Sequence, residues 1–133
     1  MRERLGGARV GLLCTVRPDG SPHAVPFCFA LDRDQVYSAV DAKPKSTAAL
    51  ARLENVRHEP RVAILVDAWS EDWSRLWWIR VDGRARVLEP GPEAGAALSL
   101  LAAKYEQYRA ARPTGPVIAV TPDRWRSWAA TAW

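Results

Sequence analysis

Lys43 and Lys45 flank Pro44 just ahead of a helix predicted over residues 46–56, with Ser46 and Thr47 at its leading end. A helix N-terminus carries unpaired N–H groups and a partial positive charge. Two cations placed there repel that end unless an anion neutralises them. Ammonium groups, hydroxyls and helix N–H groups together form the donor set for a phosphate. The competing reading is two solvated loop lysines with Asp41 as counter-charge. The stretch is not GxxxxGK[ST], so a nucleoside triphosphate is not indicated, and one phosphate on a ring-bearing cofactor fits better.

Other chemistry is thin. His23 and His58 have no metal-ligand spacing, and no metal site is expected. His58 ends the predicted helix, where a cation is favourable. No nucleophile elbow, H-E-x-x-H or partnered carboxylate pair occurs. Asp67, Glu71 and Asp72 read as solvated loop residues or as partners of Arg75 and Arg80. Cys14 and Cys28 each lie in an apolar run and read as buried thiols. No catalytic side chain is assigned. A chain without its own acid, base or nucleophile can still do redox chemistry, because a cofactor then carries the reactive atom. Trp69, Trp73, Trp77 and Trp78 fall within ten residues, and Trp125, Trp128 and Trp133 within the last nine. Such indole density suits a flat-ring ligand site or a subunit interface as well as a core.

Three strands are expected first. Val10, Leu12, Cys14 and Val16 alternate with a second face, and "RPDGSP" forms a turn. "HAVPFCFAL" reads as one strand, apolar on both faces. Pro26 inside it cannot donate to a ladder, so this strand is an edge or bulges there, freeing backbone groups for a ligand. "QVYSAV" is the third strand. The helix follows, with Ala49, Leu53 and Val56 on one face. "RVAILVD" is a fourth strand, "AWSEDWSRL" a loop, and "WWIRVDGRARVLE" a fifth strand bent at Gly83. "EPGPEAGAALSLLAAKYEQYRA" reads as one helix with Leu98, Leu101 and Tyr105 on a stripe, and "VIAVTPDRWRSW" is the last strand. Strands, an inserted helix and strands again predict an antiparallel barrel with helices at its ends, as one domain over 1–133.

The composition is ordinary for a globular chain, with 48% apolar and 26% charged residues. The net charge of +4 weakly favours anionic partners. Acidic residues interrupt any basic stripe, so nucleic acid is not an expected partner. No apolar run approaches the ~18 residues of a membrane span, and no signal-peptide pattern is seen, so a cytoplasmic protein without a membrane partner is expected.

"TVRPDGSPHAVPFCFAL", "VDAKPKSTAALARLENV" and "DWSRLWWIRVDGRARVLE" together resemble the pyridoxamine 5′-phosphate oxidase-like (PPOX class) FMN-binding split β-barrel proteins. Within these they are most similar to an actinobacterial subgroup described as coenzyme F-420 (deazaflavin)-dependent. The resemblance spans about residues 8 to 130. It implies a mainly β, six-stranded antiparallel split barrel. It also implies a homodimer with flavin-type sites across the interface. The implied activity is an oxidoreductase that moves a hydride between deazaflavin, or FMN, and an unidentified small substrate. Lys43 and Lys45, with Ser46 and Thr47, would hold the cofactor phosphate. Val25, Pro26, Phe27 and Cys28 would run along the ring edge, and Tyr37, Ser38 and Ala39 would line the pocket from the next strand. Trp78 and Arg80 add further contacts, Arg80 to an anion, with the other subunit as one source. The deazaflavin continues past its phosphate into an acidic tail, and Arg52, Arg57 and the net charge lean toward it. The alternative is a protein that binds flavin, deazaflavin or haem without turnover.

Overall fold

Alternation along the strands decides what is covered. Leu13 on the first strand, Ile64 and Val66 on a later one, and Ile79 and Val81 beside them are buried, whereas Leu12 and Asp67 between them are exposed. The computed structural model describes residues 1–40 and 47–132, without the side chains of 47–49. Helix α1 (Arg2–Gly7) precedes β1 (Gly11–Val16), β2 (Pro22–Phe27), β3 (Ala30–Asp32) and β4 (Gln35–Ala39). Helix α2 (Thr47–His58) leads to β5 (Arg61–Ala68), a 3-10 turn (Trp73–Arg75) and β6 (Trp77–Leu88). Then come α3 (Pro92–Lys104), α4 (Glu106–Ala110) and β7 (Val117–Ala129). All strand pairs are antiparallel, in the order β2-β1-β5-β6-β7-β4-β3.

The mainly β, antiparallel expectation holds, but the sheet has seven strands rather than six and is not closed. The extra strand comes from "HAVPFCFAL". Pairing with β1 ends at Phe27, and pairing with β4 begins only at Ala30. The two halves are β2 and β3, the opposite edges of the sheet. They are joined through Cys28 and Phe29, not through a ladder. Pro26 accordingly lies on an edge strand, where its missing N–H costs little. The rings of Phe27 and Phe29 stack with centroids 5.1 Å apart and seat both sides of the break in the core.

The break is held from outside the sheet. Tyr105 is almost fully buried, and its hydroxyl lies 3.1 Å from the Phe29 amide nitrogen, from which it accepts. The same hydroxyl is 3.1 Å from the Phe29 carbonyl and 3.0 Å from the Arg9 carbonyl, two acceptors that share its proton. Lys104 Nζ donates to the Phe29 carbonyl at 2.7 Å. The single long helix expected here is therefore two. Tyr105 takes extended backbone angles (φ −114°, ψ 119°) between α3 and α4, which turns its ring inward.

Helix α2 packs on the sheet through Leu53 and Val56. A buried hydrogen bond from Asn55 Nδ2 to Thr15 Oγ1 (3.1 Å) sets its position against β1. The expected bend at Gly83 is a bulge. Asp82 pairs with Arg124 and Gly83 with Pro122, so Asp123 is the extra residue on β7. A Cβ at Gly83 would stand 2.4 Å from the Thr121 carbonyl oxygen, closer than any real contact.

Gly83→Ala must therefore push β7 away. We expect a loss of about 1–3 kcal/mol, as for overpacking elsewhere, read as a lower urea midpoint at unchanged slope. An unchanged midpoint would mean the two strands part freely. Tyr105→Phe keeps the ring but strips the Phe29 amide of its acceptor. A stability loss of about 1–3 kcal/mol is expected from that orphaned buried group, and faster amide exchange at Phe29 should accompany it. Wild-type exchange at Phe29 would show that something else closes the break.

Candidate functional site

A pocket of about 270 Å³ opens at the break, lined by Val10, Pro26, Phe27, Cys28, Ser38, Ala39, Arg52 and Tyr108. Three separate stretches meet there because the chain reverses between β3 and β4, while α2 and α4 pack beside them. Cys28 belongs to neither ladder, so its backbone faces the pocket unconstrained by strand pairing. Ser38, buried on β4, brings a hydroxyl. Among the described residues the lining holds no carboxylate and one cation, Arg52.

Arg52 projects from the middle of α2 and is half-buried. Its Nε is sealed from solvent and has no hydrogen-bond partner among the described residues. Burial lowers the pKa of this guanidinium, and the neighbouring Tyr108 and Cys28 act in the opposite sense. A buried guanidinium nitrogen left unpaired costs free energy. A hydrogen-bond acceptor entering the pocket would relieve that cost.

The wall beside Cys28 is built from cations laid on rings. Lys104 Nζ is 4.2 Å from the Phe29 ring centroid and 5.2 Å from that of Tyr105, and the Arg9 guanidinium is 4.7 Å from the Tyr105 centroid. Arg9 also donates to the Lys104 carbonyl at 2.9 Å. Burial, with Arg9 close by, lowers the Lys104 pKa to about 8. The ring faces and the Phe29 carbonyl are what make a cation tolerable there. The rings of Tyr105 and Tyr108 meet edge-on at 5.6 Å, linking this wall to the pocket.

The residues expected at the site fall into groups. Pro26, Phe27, Cys28, Ser38 and Ala39 line the pocket together. Val25 pairs with Leu13 one residue up β2 and is not in the lining. The Tyr37 ring points under α3, where its hydroxyl donates to Glu93 Oε2 at 2.8 Å. Burial and that carboxylate push the Tyr37 pKa up to about 12, while bonds from Arg86 and Tyr37 hold Glu93 near 2. Trp78 and Arg80 lie apart, on β6, lining a separate hollow of about 340 Å³ with Leu65 and Asp67. Arg80 is engaged by Asp82 at 3.0 Å. Lys43, Lys45 and Ser46 lie outside the described residues, and Thr47 begins α2 with its side chain not described. Arg57 pairs with Glu89 at 3.5 Å on the surface. Among the described residues no group of three metal-ligating side chains forms.

Val10, Tyr108 and the Lys104–Tyr105 pair are not site residues expected from sequence. The available signal was Tyr105 at the end of an apolar stripe, since a buried tyrosine needs a partner for its hydroxyl. Arg52, expected to attract an acidic tail, stands in the wall of the pocket at the break.

No curated protein matches this sequence. Among solved structures, the fold is similar to the conserved hypothetical protein Rv2991 from Mycobacterium tuberculosis (TM-score 0.79, 20% identity, covering 96% of this chain and 81% of that one). It is also similar to a FAD-binding protein from Mesorhizobium loti (TM-score 0.70, 22% identity, 95% and 87%). A third is HutZ, the heme storage protein from Vibrio cholerae (TM-score 0.70, 13% identity, 91% and 85%). At these identities the likeness is one of fold. The pyridoxamine 5′-phosphate oxidase family model matches residues 1–129, nearly the whole sequence, and the chain belongs to that family.

Proposed function

We propose that this protein is a homodimeric oxidoreductase of the deazaflavin-dependent subgroup. It would bind coenzyme F-420 in preference to FMN and transfer a hydride between the cofactor and a small substrate. Arg52 carries the reading, with a guanidinium nitrogen sealed and without a partner among the described residues in the wall of a pocket at a strand break. Family membership and the fold shared with a FAD-binding protein support a flavin-type ligand there. The bound cofactor supplies the reactive ring, and the chain supplies position and electrostatics.

In this reading Pro26, Phe27 and Ala39 exclude water from the ring, and Cys28 and Ser38 offer polar groups at its edge. Arg52 donates to an acceptor on the ring and favours negative charge developing there. Lys43, Lys45, Ser46 and Thr47 take the phosphate. Thr47 and Arg52 stand five positions apart on α2, about 7.5 Å along the axis. A ring joined to a phosphate by a short chain covers that distance. The preference for F-420 over FMN rests on the sequence resemblance and the +4 charge.

The dimer reading rests on one face of the sheet. Leu12 pairs with Leu65, Leu65 with Arg80, and Trp78 with both Asp67 and Trp128. These side chains share the face away from the buried core, with Leu12 and Trp128 exposed. A partner seated there would bring Trp78 and Arg80 toward a second chain's pocket. A cytoplasmic setting is part of the proposal. Among the described residues, no helix is long and apolar enough to cross a membrane.

A second reading is haem or flavin binding without turnover. It is favoured by the fold shared with HutZ and by His23 Nδ1, buried without a partner among the described residues.

Titrations of the purified protein with F-420, FMN and haem separate these readings. F-420 should bind most tightly, and its reduced form should be reoxidised by some acceptor faster than in free solution. Arg52→Met should weaken F-420 and FMN about tenfold or more, the worth of a charge-assisted hydrogen bond, without lowering the melting temperature of the ligand-free protein. Unchanged affinity would remove Arg52 from the site. Binding with no acceleration of reoxidation would favour the second reading. Sedimentation should give about twice the 14.8 kDa chain mass, and Trp78→Asp should shift it to the monomer. A wild-type monomer would rule out a shared site.

A further inference from the structure

The last turn of α3 carries a cation inward. Lys104 is half-buried, and its Nζ donates to the Phe29 carbonyl at 2.7 Å. The Phe29 and Tyr105 ring centroids lie 4.2 Å and 5.2 Å from the same nitrogen. Burial and the nearby Arg9 guanidinium lower its pKa to about 8, and Cys28 acts in the opposite sense. Glu106, beside Tyr105 in sequence, lines a separate hollow of about 400 Å³ with Arg9 and Gln107. At pH 7 the ammonium is therefore charged, held by one carbonyl and two ring faces.

That charge is fixed one residue behind the pocket at the strand break. Cys28 lines the pocket, and Phe29 follows it. The Phe29 amide donates to the Tyr105 hydroxyl at 3.1 Å, so both polar backbone groups of Phe29 are bound to the end of α3. Arg52 reaches the same lining from α2. The Cys28 thiol acts on Arg52 and on Lys104 alike, so it lies within electrostatic reach of both. Tyr108, from α4, acts on Arg52 in the same sense as Cys28. Two cations on different helices thus flank one short segment of the chain, Cys28 and Phe29.

We infer that Lys104 is a positioning residue that makes the pocket prefer its ligand in the charge state reached after hydride uptake. The inference rests on the reading that a flavin-type ring occupies the pocket. A ring that accepts a hydride gains two electrons and one proton, and so one negative charge. The donor of that hydride is left one charge more positive. Lys104 holds the Phe29 carbonyl in place and sets a fixed positive charge behind Cys28, while Arg52 sets another in the lining. Preorganised charge of this kind acts where negative charge develops, without reorganising when it arrives. At the effective dielectric of a protein surface, one unit charge at such short range shifts the preference for anionic over neutral ring by about tenfold.

The probes are oxidised FMN and FMN reduced by two electrons with dithionite, each titrated into the full chain at pH 7 without oxygen. The wild type should bind the reduced form more tightly. Lys104→Gln keeps a donor for the Phe29 carbonyl and loses the charge. It should lower the ratio of reduced to oxidised affinity about tenfold, a fall of about 30 mV in the two-electron potential of the bound FMN. Lys104→Arg keeps the charge and should restore the wild-type ratio. A merely structural role would weaken both forms alike and leave the ratio where it was. An unchanged ratio in Lys104→Gln, or an equal fall in Lys104→Arg, therefore overturns the assignment. Arg52→Met reports separately on the underlying reading. Binding that needs Arg52 but whose ratio ignores Lys104 removes the Lys104 assignment alone. Binding that ignores Arg52, or no binding by the wild type, removes the reading and the assignment together.

Discussion

One tyrosine hydroxyl and one ammonium group decide how this sheet ends. Between Phe27 and Ala30 the chain leaves one ladder and has not yet joined the next. The Phe29 amide and carbonyl in that gap are buried, and buried backbone groups must find partners. Tyr105 satisfies both, and Lys104 adds a charge-assisted bond to the carbonyl. Because these partners come from the end of α3, the chain can cross from one edge of the sheet to the other without a continuous strand. Everything near the pocket inherits that crossing. Cys28 is exposed to the pocket because it pairs with nothing, and Phe27 is fixed because its ring stacks on Phe29.

Around that gap three cations gather, and none of them forms an ion pair among the described residues. Lys104 and Arg9 rest on aromatic faces, and Arg52 stands in the pocket wall with a nitrogen unpaired among the described residues. Cation–π contacts make such placement affordable where water is scarce. The sheet thus supplies shape, the helices supply charge, and the two meet at a segment that belongs to neither.

Much of the architecture was legible from residue pattern. Alternating burial in "GLLCTV" and "RVAILVD", the Asp19–Gly20 turn and the amphipathic run before His58 each led to the right element, because local period and local turn chemistry agree with the fold. The failures share one cause. "HAVPFCFAL" reads as one strand, and "EPGPEAGAALSLLAAKYEQYRA" as one helix, since each keeps its period throughout. Each is broken by a partner far away in sequence, Tyr105 acting on Phe29, and local propensity has no access to a contact across 76 residues. The candidate site divides the same way. Pro26 to Cys28 and Ser38 to Ala39 come together because the chain crosses through Cys28 and Phe29 from β2 to β3, and β3 pairs with β4. The position of Arg52 in the same wall depends on how α2 is docked by Asn55 against Thr15, a tertiary matter with no signature of its own.

An open sheet has two edges, and an edge with free N–H and C=O groups invites another chain to extend it. Here one edge is β2, which begins with Pro22 and carries Pro26, two residues with no N–H to offer. The other is β3, only three residues long and ending in an aspartate. Neither can template a further strand over any length. Runaway edge-to-edge growth into fibrils is blocked at both ends, by proline on one edge and by brevity on the other, and what the sheet offers outward is a face rather than an edge.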